Sequence, residues 1–129
     1  MPRLERIFER YRKQASFLTV YIREAHPTDE WRMDENDSQN ICYKQPRTEP
    51  ERVAVAGDFV KRFQYRLPLA VDPIANPAEH LYAAWPERLY VIDERGVIVY
   101  KGGQGPFGYH PGEVEAWLAR RFPRARAAR

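Results

Sequence analysis

The sequence predicts a single domain of the α/β class. Segments with strand-like composition alternate with segments of helical periodicity, in the order helix, strand, helix, strand, short helix, strand, strand, helix. Apolar residues make up 43% of the 129 residues and aromatic residues 13%, which is enough to form a core at this length. The domain is expected to span residues 1–119, followed by a basic C-terminal tail at 120–129.

The first half of the chain predicts two helices separated by a strand and a long loop. Residues 3–14 place apolar side chains at helical spacing with charged residues between them. SFLTVYIR, residues 16–23, is β-branched, aromatic and apolar almost throughout, which predicts an interior parallel strand. The polar segment 32–47 predicts a loop. A helix is then expected over 48–63, with Thr48 as its N-cap. Its apolar positions at helical spacing are Val53, Ala56, Phe59, Val60 and Phe63.

The second half predicts three short strands and two further helices. LPLAVD, residues 67–72, predicts a strand, and 76–85 a short helix that begins with Asn-Pro. RLYVID and VIVYKGG are β-rich runs joined by Glu-Arg-Gly, which predicts an antiparallel hairpin. A glycine-rich segment at 102–112 leads into a last helix at 112–122. Two strand–helix–strand crossovers, a hairpin and a final helix form the thioredoxin arrangement, if one further strand precedes the first helix.

Three long motifs carry a resemblance to a known family. They are VYIREAHPTDEW, PERLYVID and YKGGQGPFGYHPGEVEAWL. Together, from about Tyr11 to Phe122, the chain resembles the iodothyronine deiodinases, specifically their bacterial deiodinase-like members. The resemblance implies a thioredoxin-like three-layer sandwich with a mixed sheet, and a selenocysteine or cysteine nucleophile just after the first strand. It also implies thiol reductants as electron donors, with no bound cofactor.

The strand and nucleophile that the resemblance implies have no counterpart in the sequence. In a thioredoxin sheet that strand is central, and each buried backbone group left unpaired costs about 1–3 kcal/mol. Three explanations are open. The sequence starts after an in-frame UGA codon for selenocysteine that is read as a stop, or it is a natural fragment that borrows a strand from a partner or dimer mate. The third explanation is a rearranged domain without catalytic activity.

The predicted site residues lie at the end of the first predicted strand and at the start of the third. Glu24 and His26 are two residues apart at a strand end, so both project to the same face. The resemblance implies that His26 binds substrate and supplies a proton, with Glu24 in the relay, and that Arg88 binds a carboxylate of the substrate. It also implies substrate contacts from Tyr21 and Pro86, and places Pro86 where thioredoxin-like folds carry a cis-proline.

Structural roles remain open for the same residues. Glu24 and His26 would then only cap the loop after the strand, and Arg88 would form a surface ion pair with Glu87 or Asp93. Pro46 stands where a second histidine occurs in vertebrate deiodinases, which removes one member of the proton relay.

The single cysteine, Cys42, excludes an internal disulfide and a cysteine-built metal site. It is a candidate resolving thiol, or an apolar loop residue. The three histidines are scattered, so no metal site is expected. GQGPFG at 103–108 matches a dinucleotide-binding pattern formally, but Pro106 removes a backbone donor and no second strand–helix–strand unit follows.

The expected function is thiol- or selenol-dependent reduction of a halogenated aromatic compound, such as an iodothyronine, or of a peroxide or protein disulfide. The printed chain is expected to be inactive because the nucleophile is not in it. The alternative is a non-catalytic binding or assembly module of thioredoxin fold.

The composition narrows the partners and the location. The net charge of +3 comes from five arginines in the last ten residues; without them 16 basic and 18 acidic residues give −2, so no nucleic-acid partner is expected. No apolar run approaches the roughly 20 residues that span a bilayer, and no signal peptide is recognisable, so a cytoplasmic location without a membrane partner is expected. A homodimer is compatible with these features.

Overall fold

A computed structural model describes residues 2–25 and 45–125, which contain four α-helices and four β-strands. The helices are α1 (Pro2–Tyr11), α2 (Glu49–Phe63), α3 (Pro77–Tyr82) and α4 (Pro111–Arg121). The strands are β1 (Thr19–Tyr21), β2 (Leu69–Val71), β3 (Tyr90–Ile92) and β4 (Ile98–Lys101). The predicted α/β class and order of elements are confirmed. None of these helices has the length and apolar character needed to cross a bilayer.

The strands of the described residues form two separate two-stranded sheets. Between β1 and β2, the Thr19 N–H donates to the Pro68 carbonyl (2.8 Å) and the Asp72 N–H to the Tyr21 carbonyl (2.9 Å). These bonds advance in the same direction along both strands, which is the pattern of a parallel pair. β3 and β4 pair antiparallel, with Val91 opposite Tyr100. The thioredoxin-like sandwich and its central strand stay predictions.

The predicted strand at 16–23 is shorter than expected and is not interior on both faces. Only Thr19–Tyr21 are in strand conformation. Successive side chains of a strand point to opposite faces, and the side chains of Leu18 and Val20 are 66% and 39% exposed. The apolar run therefore does not indicate burial on both sides here, and the prediction of an interior strand is wrong for this part of the chain.

The described residues form two compact units, and the first comprises residues 2–19, 66–68 and 87–125. Its core is formed by α1 and α4, with Ile7 and Tyr11 on one helix against Val114 and Leu118 on the other. These four side chains are buried because both helices carry apolar residues three or four positions apart. The partly buried residues Ala15, Phe17, Leu89, Val91, Tyr100, Trp117, Phe122 and Ala125 pack against this core.

The β3–β4 hairpin belongs to the first unit and confirms the sequence prediction. Its loop is closed by the Asp93 N–H, which donates to the Val97 carbonyl (2.8 Å), and Gly96 adopts a positive φ of 81°. Glycine has no Cβ and reaches this conformation without strain. The Asp93 carboxylate accepts from the Val97 N–H and from the Arg95 N–H, and these bonds, the one from Val97 above all, hold the pKa of Asp93 below its ordinary value.

The second unit comprises residues 20–25, 45–65 and 69–86 and is organised by α2. Thr48 is the N-cap of this helix, as predicted, because its hydroxyl oxygen accepts from the Glu51 N–H (3.3 Å). The helix ends at Gln64, which is left-handed with φ 49°. Phe59 packs against Tyr21 and Tyr65, with ring centroids 5.9 and 5.3 Å away.

The burial of α2 follows the predicted apolar face only in part, because Ala56, Phe59 and Val60 are buried or half-buried whereas Val53 and Phe63 are exposed. Helical spacing of apolar residues places Val53 on the inward face, but Val53 is 54% exposed, whereas Arg52 is 2% exposed. Arg52 and Ala56 are the buried residues of this helix. The arginine is buried because its guanidinium reaches backbone carbonyls at the end of β2, a contact that local periodicity does not contain.

Candidate functional site

The candidate site of the second unit lies where β1 and β2 end. Because the two strands are parallel, their carboxyl ends meet at the same edge, which is where open α/β sheets place ligands and polar side chains. Glu24 follows β1 and Asp72 follows β2. Helix α2 adds Arg52, and α3 adds Glu79. Ionisable groups therefore collect at this edge, three of them strongly buried.

Glu24 is held through both its backbone and its carboxyl group. Its N–H donates to Gln45 Oε1 and its carbonyl accepts from Gln45 Nε2, both at 3.1 Å. The Tyr21 hydroxyl donates to Glu24 Oε1. Burial raises the pKa of Glu24 above its ordinary value of 4.5, and the positive charge of Arg52 opposes this rise. The carboxyl group therefore holds its proton closer to neutral pH than an exposed glutamate does.

Arg52 connects α2 to the segment that follows β2. Its Nη1 donates to the carbonyls of Asp72 (3.1 Å) and Pro73 (3.0 Å). Its buried Nε has no hydrogen-bond partner within residues 2–25 and 45–125. An arginine at 2% exposure is unusual, and the two carbonyls together with the nearby Glu24 compensate part of the cost of burying its charge.

Asp72 fixes the start of α3. One carboxylate oxygen accepts from the Ala78 N–H and the other from the Glu79 N–H, both at 3.0 Å. These are N–H groups of the first helical turn, which have no partner inside the helix. Asn76 is the N-cap residue by position, yet its side chain makes no capping bond. The carboxylate of Asp72 supplies that function from the end of β2.

Glu79 and Arg23 form an ion pair at the site. Arg23 Nη2 lies 2.9 Å from Glu79 Oε1, and the guanidinium lies over the Trp85 ring, 5.2 Å from its centroid. The Glu79 side chain is 5% exposed, whereas that of Arg23 is 41% exposed. Trp85 precedes Pro86, and the peptide bond between them is cis, as the resemblance implies for this proline.

The predicted site residues fall into three groups. Tyr21, Glu24 and Pro86 belong to the second unit, and the structure brings Tyr21 and Glu24 into direct contact. Arg88 belongs to the first unit, where its Nε donates to the Gly102 carbonyl (2.7 Å) rather than pairing through that nitrogen with Glu87 or Asp93. His26 and Cys42, and therefore their proposed roles, lie outside the described residues.

Five polar residues of the site were not predicted from the sequence, namely Arg23, Gln45, Arg52, Asp72 and Glu79. Gln45 and Arg52 act on backbone groups that are 20 or 21 residues away in the sequence, and no local pattern signals such contacts. Asp72 had a usable signal, because it follows a strand directly and precedes the Asn-Pro start of a helix. A carboxylate at that place is suited to bind the free N–H groups of the helix.

Other parts of the described chain offer weaker candidates. Within residues 2–25 and 45–125, no three His, Cys, Asp or Glu side chains are grouped so that they could hold a metal ion. The first unit has a shallow, open groove of about 570 Å³ at the start of α4. It is lined by Arg3, Tyr109, His110, Pro111, Gly112 and Glu113. None of these is a predicted site residue.

The fold and the site define an α/β protein with a buried, charged cluster and a protonatable glutamate at the carboxyl ends of a parallel strand pair. The family model for iodothyronine deiodinase matches residues 1–122. Human thyroxine 5-deiodinase is 39% identical over 123 residues, which cover 93% of this chain and 38% of that protein. Rat type II iodothyronine deiodinase is 34% identical over 124 residues, covering 95% of this chain and 46% of that protein.

The chain belongs to the iodothyronine deiodinase family. It spans less than half the length of the curated relatives it matches.

Proposed function

We propose that this chain forms the proton-donating and substrate-binding part of a reductive dehalogenase of the deiodinase type. Membership of the family supports the reaction class, since its relatives include proteins named for deiodination. The observation that carries the proposal is the state of Glu24, a carboxyl group whose pKa is raised by burial and which accepts a hydrogen bond from the Tyr21 hydroxyl. A thioredoxin-like arrangement of the elements is part of the proposal and is supported by their order.

The proposed reaction replaces an iodine atom on an aromatic ring by hydrogen. A selenolate or thiolate takes the iodine as a positive centre, which leaves the bonding electron pair on the ring carbon, and that carbon takes up a proton. Two thiols then reduce the selenium–iodine or sulfur–iodine bond, which regenerates the selenolate or thiolate and releases one disulfide, iodide and two protons, one of which replaces the proton taken up by the ring carbon. The net change is aryl iodide plus two thiols giving arene, disulfide and hydrogen iodide. The proton delivered to the ring carbon is the step that a side chain must assist.

The residues of this chain have distinct parts in that reaction. Glu24 holds a proton at a pH where an exposed glutamate does not, and it passes this proton on through His26, two residues along. Arg88 offers a guanidinium, the preferred partner of a carboxylate on a substrate such as an iodothyronine; its Nε bond to Gly102 fixes the plane of the group. We propose a selenocysteine or cysteine ahead of α1 as the nucleophile, as the resemblance to the family implies.

The experiment that tests the proposal measures iodide release from an iodothyronine by the purified chain. A dithiol is supplied with and without a small soluble selenol, because the printed sequence has one cysteine and no selenocysteine. The chain is expected to accelerate iodide release when the selenol is present. Glu24→Gln is expected to lower that rate by about 10²-fold, the usual size of a general-acid contribution. Glu49→Gln, at an exposed glutamate of α2, is the matched control.

The outcomes separate the alternatives. An unchanged rate in Glu24→Gln contradicts the role of Glu24 as proton donor. Turnover with the dithiol alone that is lost in Cys42→Ser assigns the nucleophile to Cys42. No release above the reagent blank under any condition contradicts the proposal and favours a non-catalytic binding module.

A further inference from the structure

Gln45 makes an unusual pair of hydrogen bonds to Glu24. Its side-chain amide accepts from the Glu24 N–H through Oε1 and donates to the Glu24 carbonyl through Nε2, and both distances are 3.1 Å. An amide group that bonds both the N–H and the C=O of one residue reproduces the pairing that a neighbouring strand provides. Only one orientation of the amide satisfies both bonds, so the contact has a defined geometry.

The position of Glu24 explains why such a partner is needed. β1 ends at Tyr21, so Glu24 lies beyond the residues that β2 pairs. Its backbone groups are part-buried, and buried backbone groups without a partner are costly. Gln45 comes from a segment 21 residues further along the chain, directly before the N-cap Thr48 of α2.

The backbone bonds and the side-chain bond act on the same residue. The two bonds from Gln45 fix the backbone of Glu24. The Tyr21 hydroxyl donates to the carboxyl group of the same residue. Arg52, four residues after the N-cap of α2, supplies the positive charge that acts on this carboxyl group. Within the described residues, the groups that act on the Glu24 carboxyl are thus Tyr21 of β1 and Arg52 of α2.

We propose that Gln45 is a positioning residue of the candidate site, which holds the Glu24 carboxyl in its partly buried place by pairing with the Glu24 backbone. The proposal extends the proposed function, because it assigns to Gln45 the placement of the proton donor. Both hydrogen bonds join Gln45 to the backbone of Glu24 and not to its carboxyl group, so the proposed effect on chemistry is indirect. Its effect on Glu24, however, is measurable without any turnover.

The first test is amide hydrogen exchange by NMR on the full chain with Gln45→Met. Methionine keeps the length of the side chain but removes both hydrogen bonds. Exchange of the Glu24 N–H is expected to become at least about tenfold faster, the change that corresponds to about 1.4 kcal/mol and to the loss of one or two ordinary hydrogen bonds. Gln14→Met is the matched control, since Gln14 is exposed and its side chain makes no hydrogen bond within residues 2–25 and 45–125.

The second test follows the Glu24 carboxyl carbon through a pH titration. In Gln45→Met the Glu24 pKa is expected to fall toward its ordinary value, because the released carboxyl group gains access to water. A contribution to folding alone would not shift this single titration while the Asp93 titration stays unchanged. Glu24 exchange and titration that match those of wild type in Gln45→Met would overturn the proposal.

A second variant keeps the question answerable if Gln45→Met does not fold. Gln45→Glu retains the shape and the acceptor for the Glu24 N–H but loses the donor to its carbonyl and adds a carboxylate nearby. Because one of the two backbone bonds is lost, exchange of the Glu24 N–H is expected to become faster than in wild type, and exchange that matches wild type would refute the proposal. Iodide release distinguishes a failure of the proposed function from a failure of the role proposed for Gln45. If wild type shows no release, the proposed function fails, whereas the role of Gln45 is decided by exchange and titration alone.

Discussion

Replacing Arg52 by methionine is expected to lower the free energy of unfolding by about 1–4 kcal/mol. The change removes the two hydrogen bonds from Nη1 to the carbonyls of Asp72 and Pro73, at 3.1 and 3.0 Å. The Asp72 carbonyl is left without this partner, which costs about 1–3 kcal/mol, whereas the Pro73 carbonyl keeps the Asn76 N–H (2.8 Å) and loses only an ordinary hydrogen bond of about 0.5–1.5 kcal/mol. Methionine recovers part of this, because it does not require a guanidinium with an unpartnered Nε to be buried. The loss is therefore large but stays below the sum of the extremes.

Urea denaturation followed by circular dichroism measures this change. With a slope of about 1–3 kcal/mol per molar urea for small proteins, the midpoint is expected to fall by about 1 M. Lys61→Met is the control on the same helix, at an exposed position where about 0.5 kcal/mol or less is expected. Arg52→Met should also raise the pKa of Glu24 further, since the charge that opposes the rise is gone. An Arg52→Met chain as stable as Lys61→Met, or a lower Glu24 pKa, would refute this reasoning.

Three further changes test the same edge of the strand pair. The pKa of Glu24 is raised on folding, so the folded chain binds more protons than the unfolded chain just above pH 4.5. The stability of the chain therefore falls as the pH rises through the Glu24 pKa. Urea denaturation at a series of pH values should show that Glu24→Gln abolishes this fall in stability. Tyr21→Phe removes a donor to the Glu24 carboxylate, so the carboxyl carbon should titrate at higher pH in NMR. Asp72→Ala removes two hydrogen bonds to the first turn of α3 and should lower the free energy of unfolding by about 2–4 kcal/mol, and Asp72→Asn by about half as much. Thermal or urea unfolding measures both changes. Variants as stable as wild type would show that the turn forms without the carboxylate.

The order of the elements could be predicted because each depends on local pattern. The hairpin at 90–101 follows from two β-rich runs and a glycine that reaches a positive φ. The cap at Thr48 follows from a hydroxyl residue before a helical run. Burial was less predictable. Val53 is exposed and Arg52 is buried, because the partner of the arginine is a pair of carbonyls some 20 residues away, and apolar spacing alone carries no record of them.

The candidate site could be predicted in part for the same reason. Glu24 stands at a strand end in one of the three motifs, which predicts it as a site residue, and its contact with Tyr21 joins residues only three positions apart. The role of Gln45 could not be predicted, because no local sequence pattern indicates a side-chain amide that bonds a backbone 21 residues away. The resemblance predicts that Arg88 binds substrate, but its hydrogen bond to the Gly102 carbonyl depends on how the β3–β4 hairpin closes.

Side chains of helix α2 and of the segment before it bond the backbone after both strand ends. The two carboxyl groups at these strand ends have different partners. Gln45, just before the helix, bonds the backbone of Glu24 after β1, and Arg52, in its first turns, bonds the carbonyls of Asp72 and Pro73 after β2. Both oxygens of Asp72 accept backbone N–H groups of α3, so this carboxylate is committed to holding that helix. Glu24 instead accepts from one hydroxyl, and its burial favours the protonated form. Of the two strand-end carboxyl groups, Glu24 is therefore the one that we propose as a proton donor, whereas Asp72 holds the start of α3.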